Sequence, residues 1–208
     1  MIAARPISRF LDDLASSAPT PGGGSAAAIM GAMGAALISM VCNLTIGKKD
    51  YEAVQAQIRQ ALDQAEALRR RLTGLIEDDV QAFESLMAAY KLPRATEPDK
   101  LARDRAVQHA LKQATDVPLA CASACAELID LAQRVARIGS RAVISDAGVA
   151  ALVAHAGLRS AALNVDVNVP SIKDDDFVHS RRTRLDAMLE RCSALSEATM
   201  QTVHGRLT

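Results

Sequence analysis

The chain has 208 residues, long enough to bury a substantial core as a single domain over 1–208, and its 24 basic and 24 acidic residues balance. Half of it is apolar, but with three Phe, two Tyr and no Trp that mass is Ala, Leu, Val, Ile and Met. This composition suits closely packed helices rather than a β-sandwich, and the lack of a basic excess or of aromatics for stacking bases argues against a nucleic-acid binder.

Ile7, Phe10, Leu11 and Leu14 follow helical spacing and predict a first helix after Pro6. Pro19, Pro21 and Gly22-Gly23-Gly24 interrupt it. No charge occurs between Leu14 and Gly47, so a membrane span has to be considered. The segment is small rather than greasy, and Ala27, Gly31 and Ala35 form a seam along which two helix backbones can approach closely. With Ser39, Asn43 and Thr45 inside it, no aromatic belt and no second span to partner it, it reads as the central buried helix of a soluble bundle.

Residues 50–91 contain no proline and predict one long helix. Val54, Ile58, Ala61, Ala65, Leu68, Leu72, Leu75, Asp79, Ala82, Leu86 and Ala89 alternate four and three apart, a heptad stripe facing another helix. Every stripe position is apolar except Asp79, and an unpaired carboxylate there costs free energy or takes up a proton. Pro93 ends the helix, and Thr96 is placed to cap the next, which Pro118 is expected to kink or restart. Gly139 stops the helix that follows. A cap at Ser145 or Asp146 opens an alanine-rich helix to about Asn164, and Asp174 to Asp176 open the last. About seven helices and no convincing strand predict an all-α bundle.

Pro21-Gly22-Gly23-Gly24-Ser25 precedes a helix start, where free amides can face a polar ligand and glycine permits close approach. Cys42, Cys121, Cys125 and Cys192 follow no signal peptide and read as reduced thiols of a cytoplasmic protein. No partner lies near Cys121 and Cys125 to complete a zinc set, and His109, His155, His179 and His204 show no ligand spacing, so no metal site is expected.

PTPGGGSAAA, MVCNLTIGKKDY from Met40 to Tyr51, DDVQAFESLMAAYKLP from Asp78 to Pro93, ATDVPL from Ala114 to Leu119 and VISDAGVAALVAHAGLRSAALNVDVN from Val143 to Asn168 occur in this order. These five blocks resemble the cyclodeaminase/cyclohydrolase family of folate enzymes, and more closely its stand-alone bacterial members that act on 5,10-methenyltetrahydrofolate. One departure is Gly139-Ser140, where the family often has Gly-Asn.

The resemblance implies a multi-helical, usually dimeric fold that takes a reduced folate as substrate with no metal or other cofactor, and the composition adds the expectation of no nucleic-acid or membrane partner. The resemblance also implies water addition to the methenyl bridge, giving 10-formyltetrahydrofolate, or the related cyclodeaminase reaction that releases ammonia. Either needs a group to carry a proton, and Asp79, in the D-x-x-A-F segment, is the expected catalytic acid/base. Gly22, Gly23, Gly24 and Ser25 are expected close to the folate, Asp146 as an acceptor for the pterin edge, and Lys48, Lys49 and Lys91 as cations for a glutamate tail. Asn43, Asn164 and Asn168 are further substrate-binding candidates. A non-catalytic helical scaffold, with Asp79 fixing helix register, is the alternative from another class.

Overall fold

The computed structural model describes Ile2 and residues 5–208, and among them six α-helices and no strand. The first, α1 (Ile7–Leu14), buries only Phe10. The second, α2 (Gly23–Asn43), is apolar on every side and lies at the centre, packed against α3 (Gln55–Tyr90), α4 (Glu97–Ile138) and α5 (Ile144–Asn168). The last helix, α6 (Asp175–Leu207), lies across α4 and α5.

Packing is close along the Ala27/Gly31/Ala35 seam. A methyl group on Gly31 would come within 2.8 Å of Leu72 on α3 and 2.9 Å of the Cys125 sulfur on α4. One on Gly157 of α5 would come within 3.1 Å of the Ala27 carbonyl. The close approach foreseen for α2 is therefore made inside the chain, by three neighbouring helices at once. The expectation of no second span needs correction, because the stretch Arg141–Ser171 that contains α5 is, like α2, long and apolar enough to cross a membrane by length and composition. Both are core helices here, with about half of each apolar window buried in the bundle (56% and 44%).

The stripe of α3 is buried from Ile58 to Ala89 except at Asp79, which is half-buried. The helix begins five residues later than expected, at Gln55. Tyr51 breaks the helical geometry at φ −120° and ψ 19°, and a 3₁₀ turn over Lys49–Val54 precedes α3. Thr96 and Asp99 form a reciprocal capping box that opens α4.

Pro118 neither kinks α4 into two helices nor restarts it: α4 runs unbroken for 42 residues, which reduces the count from seven helices to six. Proline removes the N–H that would bond the Ala114 carbonyl one turn back. The side-chain amide of Asn168, on α5, supplies the missing donor at 2.8 Å. After Gly139, a 3₁₀ turn over Arg141–Val143 leads into α5, so neither Ser145 nor Asp146 is its cap. Asp174 caps α6, accepting from the Phe177 amide at 2.9 Å.

Candidate active site

A cleft of about 430 Å³ opens where the N-terminus of α2, the second half of α3, the middle of α4 and the C-terminal end of α5 converge. Asp79 lies in it beside the backbone of Gly22, Gly23 and Gly24. The Ser25 hydroxyl donates to Asp79 Oδ2 at 2.8 Å. Gly24 is dictated by this contact, since any Cβ there would collide with the carboxylate, only 2.6 Å from its Cγ. The two fit because the heptad stripe turns Asp79 toward α2 at a level where α2 presents bare glycine backbone.

Burial pushes the Asp79 carboxyl above its usual range, and hydrogen bonding from Ser25 pulls part of the way back. Such a group holds or releases a proton closer to neutrality than a solvated aspartate does. Phe83, Leu86, Met87 and Tyr90 of α3 and Leu111 of α4 give the cleft an apolar wall, while Thr20, Asn164, Asn168 and Ser171 supply polar groups. A flat, partly polar ring system fits this lining.

The residues expected from sequence fall into two groups. Gly22, Gly23, Gly24, Asp79, Asn164 and Asn168 line the cleft, and Ser25 touches it through Asp79. Asn43 is exposed at the opposite end of α2, about 30 Å away by helical rise. With it at that end are Lys48, which donates to the Ser140 hydroxyl at 2.8 Å, and Lys49, which opens the 3₁₀ turn. Asp146 belongs there too, in the first turn of α5, because α5 runs back toward the cleft. Lys91 is exposed at the C-cap of α3, one residue beyond Tyr90, the last cleft residue of that helix.

Sequence reasoning did not single out Phe83, Met87 or Tyr90. The signal was available: Phe83 and Tyr90 stand four and eleven residues after Asp79, on the same helix strip, and are two of the chain's five aromatics (Phe 3, Tyr 2). Pro19, Thr20 and Ser171 carried no such signal, since loops fold them into place.

An all-helical bundle with a carboxylate sunk in a ligand-sized cleft has the outline of a small-molecule enzyme working by acid–base chemistry. The chain belongs to the formiminotransferase-cyclodeaminase family, whose sequence profile matches residues 6–187. A methenyltetrahydrofolate cyclohydrolase of Methylorubrum extorquens is 58% identical over 201 residues, covering 97% of each chain. The formimidoyltransferase-cyclodeaminase of Sus scrofa is 36% identical over 202 residues, which are 97% of this chain and 37% of that protein. The crystal structure of formiminotetrahydrofolate cyclodeaminase from Thermotoga maritima matches with a TM-score of 0.83 at 32% identity, covering 100% of this chain and 98% of that one.

Proposed function

We propose that this chain hydrolyses 5,10-methenyltetrahydrofolate to 10-formyltetrahydrofolate, reversibly, with Asp79 as the acid/base. The observation that carries the reading is the Asp79 carboxyl itself, the acid of an otherwise apolar stripe, set in a cleft against bare glycine backbone. The 58% identity to a cyclohydrolase over 97% of both chains favours this reaction over the cyclodeaminase one, whose representatives are more distant.

The methenyl bridge is an amidinium-like cation. An ionised Asp79 stabilises it and takes a proton from water as the oxygen bonds to the bridge carbon. The resulting carbinolamine loses its hydroxyl proton to solvent as the bond from carbon to N5 breaks, and Asp79 returns its proton to N5. One proton is released overall, matching the loss of the substrate's positive charge. No step calls on a metal or cofactor, so activity should persist in full after exhaustive chelation; loss restored by zinc would contradict this.

We read the protein as a cytoplasmic homodimer. The four cysteines are free and buried, as suits a reducing compartment. Met33 and Met40 on α2, Leu44 at its C-cap, and Val149, Leu152 and Leu163 on α5 are all more than a third exposed, and these two helices pack side by side. Together they form an apolar face of the kind a second subunit covers. Asn43, Lys48, Lys49 and Asp146 can meet a folate in the cleft only from such a second copy, since the cleft of their own chain is a helix length away.

The test is a spectroscopic assay of methenyltetrahydrofolate loss, run beside an ammonia assay on formiminotetrahydrofolate. Accelerated loss of the first without ammonia from the second is expected. Ammonia release alone would make the chain a cyclodeaminase, and no activity on either would leave the scaffold reading.

A further inference from the structure

We propose that Asn168 is a hydrogen-bond acceptor for the donor edge of the ligand, held in that sense by Pro118, a positioning residue on a different helix. The inference rests on the reading of the cleft as a folate site.

Pro118 is buried within α4 and leaves the Ala114 carbonyl without its helical donor. Asn168 Nδ2 donates to that carbonyl at 2.8 Å and to the carbonyl of Asn164, one turn back on its own helix, at 3.0 Å. Both partners are backbone oxygens, which only accept. Turning the amide over would set its oxygen against two others, so the orientation is dictated by the network.

With both N–H bonds used, Oδ1 is the one polar atom Asn168 has left, and no donor among the described residues reaches it. Ala114 and Asn168 both line the cleft. A ligand therefore meets an obligate acceptor at this point of the α5 wall, where an ordinary asparagine would offer donor or acceptor alike. Asn164 differs: its amide donates only to the Ser160 carbonyl, at 2.8 Å, and keeps a second N–H free. The N–H and NH₂ groups of a reduced pteridine match an acceptor at Asn168. Asp146, expected from sequence to take that part, lies at the other end of α5.

A residue with an N–H at 118 would bond Ala114 within the helix and release the Asn168 amide to rotate. Pro118→Ala should accordingly melt no lower than the parent, keep kcat within about twofold, and raise KM for methenyltetrahydrofolate about tenfold, the equivalent of one hydrogen bond. Asn168→Ala should raise KM similarly, and Pro118→Ala should add nothing further in the Asn168→Ala background. An unchanged KM in Pro118→Ala, or an equal rise whether or not Asn168 is present, overturns the proposal. Should Pro118→Ala melt much lower, Asn168→Ala decides alone, and parental KM there overturns it. Failure of the cleft reading itself would look different: the parent would not turn over the folate at all, or Asp79→Asn and Asn168→Ala would both match it.

Discussion

Asp79 holds its charge against the preference of its surroundings, and this has a thermodynamic sign. Because its folded pKa is raised by burial, the unfolded chain releases the proton first as pH rises from the ordinary carboxylate value near 4. Stability falls until the raised folded value is passed, and the penalty persists at neutral pH. Asp79→Asn removes it, so the variant should be more resistant to denaturant than the parent at about pH 7, with the gap closing toward about pH 4; a gap independent of pH would contradict burial as the cause. A base must also be ionised to accept a proton, so turnover should rise with pH through that same raised pKa. The neighbouring contact gives a second prediction at this scale. Gly24→Ala must displace the carboxylate and should abolish turnover, whereas Gly74→Ala, on the same helix as Asp79 but outside the cleft and with nothing within 4 Å of the added methyl, should leave turnover at the parental level. Asp79 was legible in sequence because a charge interrupts a buried period. Its placement against Gly24 was not, because that contact joins residues 55 apart through helix packing that no spacing rule contains.

At the level of elements, α2 shows how small residues set the core. Gly31→Ala should destabilise the bundle by about 1–3 kcal/mol, since Leu72 and the Cys125 sulfur occupy the space the methyl needs. Gly74→Ala, on the exposed side of α3 with nothing within 4 Å, should stabilise by about 1 kcal/mol through helix propensity alone. Denaturant titration of the two variants checks both signs together. The helices were readable because caps and periods are local: Thr96, Gly139 and Asp174 act within a turn of their own positions. Pro118 was misread for the opposite reason. The donor that rescues α4 comes from Asn168, fifty residues away and on another helix, so a local rule sees only the missing N–H.

At the scale of the whole molecule, the apolar face of α2 and α5 remains uncovered in a single chain. Sedimentation of the detergent-free protein should give a dimer, and Met33→Glu with Leu152→Glu should yield monomers by placing charge in that face. A parent that sediments as a monomer at micromolar concentration would remove the dimer. The same scale explains why the sequence could name residues from both ends of the bundle as one site: antiparallel α2 and α5 place Asn43 and Asp146 together and far from Asp79, and the direction of packing is invisible in a linear chain. The central claim, that the carboxylate in the cleft carries the proton, is tested most directly by turnover and folate affinity of Asp79→Asn measured side by side. Turnover should fall by about 10² to 10⁴ while the variant folds and still binds methenyltetrahydrofolate. Parental turnover in a variant that melts much lower would make Asp79 a structural pin and contradict the account.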